Sequence, residues 1–403
     1  MNLKIFSGRL VNPRYVQEEI VIEIAEGRVI SIRPQAESTP EGSDIDLRKS
    51  TVIPGLIDIH IHGAAGDDFM TGQVEKAVEY LARHGTTSFL ATSYPCGRDT
   101  YLEGIRRLRQ KVKEQNKKGA KILGIHLEGP FLNPKYGAQK GEYCWPINKE
   151  NTKTMLSETG EALKMVSLSP ELPGAVEAVR MFSEHGIITS AAHTEADTEQ
   201  MQAVYNCGLR HTTHILNAIE APPTRIKGVR RAGCDEFTLA SEDMTADVMV
   251  DSKGIHVEDE WLKIIFKCLG VKRTALLSDA IPFAGLPPGL YTFGDGQKFK
   301  LTGTEDVGRT TDGKLAGSVM MMLDAVNNLM DRLGLKLEEA IECATLTPAR
   351  IIGVKNFKGS IEVGKDADLV ALDERRQVLL TMVEGKIVYQ AEELGREKTI
   401  CLK

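Results

Sequence analysis

The sequence predicts an α/β protein: a (β/α)8 TIM barrel with a small β-sandwich domain formed from both termini. Three observations predict it. The middle of the chain alternates β-type and helical segments eight times, both ends are β-rich, and side chains able to bind metal fall at the C-terminal ends of the predicted barrel strands. A chain of 403 residues accommodates a barrel of roughly 250 residues together with a smaller module.

Taken in order, residues 4–6, 19–24 and 28–32 read as strands, with a tight turn at 25–27 and a polar loop over 34–44. Segments 359–364, 368–372 and 385–389 mirror them at the far end, so residues 1–52 plus 355–403 are expected to pair into one β domain interrupted by a barrel at 53–354. Barrel strands are predicted at 56–62, 86–92, 121–128, 163–168, 187–193, 210–215, 246–251 and 273–279. Between them lie helical patterns at 74–83, 101–117, 175–184, 198–206 and 261–268. Gly85, Gly186 and Gly208 stand where a helix end favours a left-handed residue, and His84 and His185 before two of them suit the negative end of a helix better than a metal. Residues 281–314, rich in Gly, Pro and Thr, read as a lid-like excursion with hairpin turns, followed by a helix over 318–333.

Charge and composition exclude several classes. With 50 Lys+Arg against 56 Asp+Glu the formal net charge is −6, without a basic stripe, which argues against nucleic acid or an anionic membrane as partner. The first residues lack the apolar run of a signal peptide and no stretch reaches membrane-spanning length, so a cytoplasmic protein is expected. Seven cysteines with no Cys-x-x-Cys point to small buried residues, not a disulfide framework or a zinc ribbon.

The chemistry starts in Pro54-Gly55-Leu56-Ile57-Asp58-Ile59-His60-Ile61-His62-Gly63. On a strand, residues i and i+2 share a face roughly 6.6 Å apart, so His60 and His62 form a two-pronged grip at the strand's end. A lone histidine here is better read as a satisfied core residue. The pair is not alone, since the third strand ends at Glu128, the fifth at His193, the sixth at His214 and the eighth at Asp279. Imidazole and carboxylate are the ligand set of zinc and related divalent ions, with iron, manganese or cobalt also accommodated.

These motifs carry a resemblance. Pro-Gly-x-Ile-Asp-x-His-x-His-Gly resembles the opening of the amidohydrolase superfamily. His126-Leu127-Glu128-Gly129-Pro130-Phe131, Ala192-His193-Thr194, Thr213 to Ala218, Leu277-Ser278-Asp279-Ala280 and Leu315-Ala316-Gly317-Ser318 resemble, more narrowly, the N-acetylglucosamine-6-phosphate deacetylases. The resemblance implies hydrolysis of the acetamide of an N-acetylhexosamine 6-phosphate in a homodimer. It implies that Glu128, His193 and His214 hold the principal metal, that His60, His62 and Asp279 can hold a second ion, and that Asp279 is the general base and acid. Some of these deacetylases lack the first-strand pair, which this chain retains. The resemblance also places Gln139, Asn217, the backbone at Ala218, Arg225, His256, Ala316, Gly317 and Ser318 against the substrate, with Arg225 reaching into a neighbouring subunit's site.

Two departures bear on the substrate. Relatives usually carry a histidine after Gly-Ala or Gly-Thr in the loop following Glu128, whereas Gly137-Ala138 here precedes Gln139, and residues 228–233 also differ from the usual continuation. The galactosamine epimer therefore stays open. A cyclic-amide hydrolase of the dihydroorotase or hydantoinase type would use a carboxylated lysine on the fourth strand, where Lys164 stands early and Glu128 already offers a bridging carboxylate. A scaffold that had lost its chemistry would show broken ligand positions, and all six are filled.

Overall fold

Most of the predicted barrel strands are runs of apolar and small residues, and in the computed structural model the first three bury both faces in one parallel sheet. The structure describes residues 3–35, 39–115, 118–294, 296–392 and 394. The eight strands are Leu56–Ile61, Thr86–Ser93, Lys121–Glu128, Leu163–Leu168, Ile188–Ala191, His211–Thr212, Thr245–Val248 and Thr274–Leu276, in sequence order around the sheet. Among the described residues, each is followed by a helix: Glu75–Arg83, Arg98–Glu114, Lys149–Thr159, Ala175–Glu184, Thr198–Asn206, Cys234–Ala240, Asp259–Cys268 and Met322–Leu333. Their apolar stripes bury Leu81, Ile105, Val179 and Leu262 against the sheet. First and eighth strands meet through backbone bonds from Asp279 N to His60 O (3.0 Å) and His62 N to Ala280 O (2.9 Å). That closing seam carries three of the expected ligands.

Both termini contribute to one seven-stranded sheet ordered Lys386–Gln390, Val378–Val383, Leu369–Leu372, Ile45–Pro54, Leu3–Asn12, Tyr15–Ala25, Arg28–Pro34. The hairpin turns at its two ends meet. Val29 N bonds to Lys365 O at 2.9 Å, and the turns at Gly27 and Gly385 touch so closely that a Cβ on Gly385 would lie 2.7 Å from the Gly27 Cα. The interior so enclosed is packed by Ile5, Ile22, Val29, Leu47, Leu369 and Leu380. The chain passes from this sheet into the barrel at Gly55, whose missing side chain lets Thr87 approach to where a Cβ would be 2.1 Å away.

Three expectations are corrected. The strand expected at 359–364 is a bend and turn, because Gly359 and Gly364 take positive φ (88° and 92°) and break an extended run. The helix expected from Ser318 begins at Met322, since Leu315–Ser318 instead pairs as a strand with Val307–Thr310. The helix expected over 101–117 runs from Arg98 to Glu114, with 116 and 117 outside the described residues. The excursion over 281–314 is more ordered than two turns. Gly289–Thr292, Lys298–Leu301, Val307–Thr310 and Leu315–Ser318 form a four-stranded antiparallel sheet packed on Ile281, Phe283, Phe293 and Phe299.

Candidate metal centre

All six ligand candidates converge at the C-terminal mouth of the barrel. Among the described residues, two groups have donor atoms within 4.8 Å of one another: His60, His62 and Asp279 in one, Glu128, His193 and His214 in the other. Glu128 joins them. Its Oε1 lies 2.8 Å from His193 Nε2 and 3.0 Å from His214 Nε2, while its Oε2 lies 3.3 Å from His62 Nε2 and 3.5 Å from His60 Nε2. On the far side, Asp279 Oδ1 lies 3.1 Å from His62 Nε2 and 3.5 Å from His60 Nε2. One carboxylate oxygen thus faces each triad, which is the placement of a bridging ligand.

The residues fit divalent ions on electrostatic grounds. His62, His193 and His214 each set Nδ1 against a backbone carbonyl, those of Thr92 (3.3 Å), Tyr136 (3.1 Å) and Asn217 (3.0 Å). A carbonyl only accepts, so the proton sits on Nδ1 and a lone pair at Nε2 faces the carboxylates. Two acceptors at that distance repel unless a cation or a proton lies between them. Without an ion the site answers with protons, and although burial works against charge, Asp279 and Glu128 raise the His62 imidazole to about 10. Glu128 likewise raises His214 to about 9 against its burial. Burial also favours neutral carboxyls, but His60 with His193 and His214 holds Glu128 well below the ordinary range, and His60 with His62 lowers Asp279.

The backbone is bent to aim these groups. His193, His214 and Asp279 take φ of 47°, 35° and 48° at or just beyond strand ends, a region that costs a non-glycine residue of order 1–3 kcal/mol. Behind them stand anchors that sequence reasoning did not single out. Asp58 accepts from His60 N (3.2 Å) and Ser278 Oγ (2.5 Å), and burial pushes its carboxyl up to about 6. Asp247 accepts from His214 N and from His211 Nε2 (3.0 Å). The signal for Asp58 was present in its i−2 position on the His60 face, whereas nothing in the sequence pairs Asp247 with His211. His126, buried and bonded to Ile59 O (3.0 Å) and Ser167 Oγ (2.7 Å), is forced down to about 3 chiefly by burial and is neutral packing beneath the site.

A cavity of about 470 Å³ opens over the cluster. Gln139, Asn217, Ala218, His256, Ala316 and Gly317 line it together with His62, Glu128, His193, His214 and Asp279. The four-stranded sheet supplies Phe299 to its wall and the connection between its first two strands supplies Phe293 and Gln297, and the Tyr94 ring packs on Phe293 at 4.7 Å. Ser318 is buried behind the cavity with its hydroxyl donated to Ser278 O. Arg225 is not part of this wall; its side chain is 63% exposed and 3.5 Å from Asp197 Oδ2. Lys164 is the second residue of the six-residue strand Leu163–Leu168, at the end away from the mouth, and is in neither triad.

Comparison with known proteins gives the family. The Amidohydrolase family profile matches residues 51–388. The chain is 31% identical over 379 residues to an N-acetylglucosamine-6-phosphate deacetylase of Bacillus subtilis (strain 168), covering 92% of this chain and 93% of that one. It is 30% identical to an N-acetylgalactosamine-6-phosphate deacetylase of Escherichia coli O157:H7, covering 91% and 94%. The crystal structure of N-acetylglucosamine-6-phosphate deacetylase from Pasteurella multocida superposes with a TM-score of 0.87 at 27% identity, covering 96% of this chain and 99% of that one. The chain therefore belongs to the amidohydrolase family, and in sequence and fold it closely resembles the N-acetylglucosamine-6-phosphate deacetylases within it.

Proposed function

We propose that this protein is a metal-dependent hydrolase that removes acetate from an N-acetylhexosamine 6-phosphate, with N-acetylglucosamine 6-phosphate as substrate. The observation that carries the reading is the pair of triads bridged by Glu128 at the base of a cavity sized for a sugar. Glu128, His193 and His214 would hold one ion and His60, His62 and Asp279 a second, with zinc as the metal that this imidazole and carboxylate set suits. Bound there, a divalent ion supplies Lewis-acid polarisation of the amide carbonyl and acidifies water. Asp279, held ionised between His60 and His62, takes a proton from the attacking water and returns it to the departing amine. The His193 and His214 rings are fixed in register by the Tyr136 and Asn217 carbonyls, so neither needs to reorganise as charge develops. Gln139, in the cavity wall with one Nε2 proton donated to Tyr136 O, would give its other amide proton to the acyl oxygen.

Phosphate recognition falls to His256, to Asn217 and the backbone at Ala218, which line the cavity, and to Arg225 of a second copy in a homodimer. The exposed position of Arg225 outside its own cavity supports that sharing. Ala316 and Gly317 contribute cavity wall, and Ser318 supports them from behind. Residues 1–52 and 355–403 act as a small β domain carried by the catalytic barrel at 53–354, a division supported by the terminal sheet and its own core; residues after 394 lie outside the described structure. A cytoplasmic location accords with the substrate; among the described residues no helix is long and apolar enough to cross a membrane.

A second reading, the galactosamine epimer, rests on Gln139 in place of the usual histidine and on the 30% identity to the Escherichia coli enzyme, against 31% to the Bacillus subtilis one. The test is a deacetylation assay over N-acetylglucosamine and N-acetylgalactosamine, each with and without the 6-phosphate, on protein of measured metal content. Preferential release of acetate from N-acetylglucosamine 6-phosphate supports the first reading. Equal turnover of unphosphorylated sugars removes the roles given to Arg225 and His256.

A further inference from the structure

The loop after the seventh barrel strand holds a buried carboxylate that the reaction just described does not use. Asp251 is fully buried, and four donors converge on it. Oδ1 accepts from Lys253 N (3.0 Å) and Ile255 N (2.9 Å), and Oδ2 accepts from His256 N (2.8 Å) and His256 Nδ1 (3.2 Å). His256 is 8% exposed and lines the cavity, yet its Nε2 is buried with no hydrogen-bond partner among the described residues. A buried imidazole nitrogen left unpaired is costly unless a ligand completes it.

We infer that Asp251 is a positioning residue that fixes the proton of His256 on Nδ1 and stabilises a second proton on Nε2, making phosphate recognition depend on an Asp251–His256 imidazolium. This rests on the deacetylase reading for the substrate. Above its second pKa of about 6 a phosphate monoester offers only acceptors, so only the doubly protonated ring can bond to it through Nε2. The Asp251 carboxylate opposite Nδ1 offsets the positive charge, as a carboxylate behind a catalytic histidine does elsewhere. The other charged groups packed around this loop are already engaged. Arg332 binds Asp251 O (2.8 Å) and Asp259 Oδ1 (2.7 Å), Asp306 accepts from Ser252 N (2.9 Å), and Lys253 Nζ reaches Thr304 O.

The experiment measures kcat and KM on metal-loaded protein for the phosphorylated and unphosphorylated acetamido sugar in wild type, Asp251→Asn and His256→Gln, with binding of glucose 6-phosphate and glucose by calorimetry between pH 6 and 9. Each variant is expected to raise KM for the phosphorylated sugar about tenfold, with a smaller change in kcat, and to raise KM for the unphosphorylated sugar several-fold less than that. Wild-type affinity for glucose 6-phosphate should fall toward about tenfold per pH unit at the alkaline end, a slope that His256→Gln removes. Equal losses on both sugars, unchanged KM in both variants, or the same pH slope in His256→Gln would overturn the inference. Should Asp251→Asn fail to fold, His256→Gln and the wild-type pH slope decide the matter. If no sugar is deacetylated the proposed function fails, while the glucose 6-phosphate measurements still decide the role of Asp251.

Discussion

Glu128 is the residue whose removal separates the two triads at once. Because each of its oxygens faces different imidazoles, Glu128→Ala should abolish tight metal retention, measured by elemental analysis, and lower turnover by at least about a thousandfold; near-normal metal content would remove its bridging role. Asp279→Asn keeps an oxygen near His62 but cannot take a proton. It should reduce kcat by about 100- to 10,000-fold while KM stays close to wild type. At this scale the sequence was highly legible, because histidines at i and i+2 and acids at strand ends have few structural uses. What it could not show was the left-handed backbone at His193, His214 and Asp279, since φ there is imposed by the strand-to-loop turns and not by the residues themselves. Nor could it show Arg225 outside the cavity, because sequence distance says nothing of which way a loop charge points.

At the scale of elements, the loop after the third barrel strand acts on the site through Gly137. Its φ is 92°, and a Cβ there would come within 2.3 Å of His193 Nδ1. Gly137→Ala should therefore push His193 off the Tyr136 carbonyl and weaken metal affinity by about 10- to 100-fold, read by competition with a metallochromic chelator. The strand Ile45–Pro54 went unrecognised because Asp46, Arg48, Lys49 and Ser50 interrupt its apolar run; only the alternation of Ile45 and Leu47 signalled it. The four-stranded sheet over the cavity was hidden for a similar reason. Its strands are four residues each, held by Phe283, Phe293 and Phe299 meeting across loops that carry no period of their own. All eight barrel strands were readable in place, because burial on both faces favours apolar and small residues, but the last four are shorter than expected: 210–215, for one, is a strand only at His211–Thr212, the chain turning into the site beyond it.

On the scale of the whole molecule, the terminal sheet and the barrel are joined by buried charge. Glu342, on helix Leu337–Ala344 and 2% exposed, accepts from Arg14 in the turn after the first strand (3.0 Å) and from Arg350 on helix Leu346–Ile351. Glu342→Ala should destabilise the protein by about 1–2 kcal/mol at neutral pH. Burial raises the Glu342 carboxyl, but the two guanidiniums outweigh it and hold the folded value below the ordinary one. A depressed folded value means stability present above the unfolded pKa of about 4.3 and lost as pH falls through the folded one. The gap between wild-type and Glu342→Ala denaturation midpoints should therefore be full at pH 6 and close on acidification; a gap that widens toward pH 4 would contradict the assignment.

The account depends most on acetamide hydrolysis requiring ions held by the two triads. It is tested most directly by stripping the protein with a chelator and following acetate release from N-acetylglucosamine 6-phosphate as zinc is returned in measured steps. Activity should vanish with the metal and return in proportion to bound zinc, saturating at one or two ions per chain. Full turnover by the metal-free protein, or a zinc-loaded protein that leaves the acetamide intact, would contradict it.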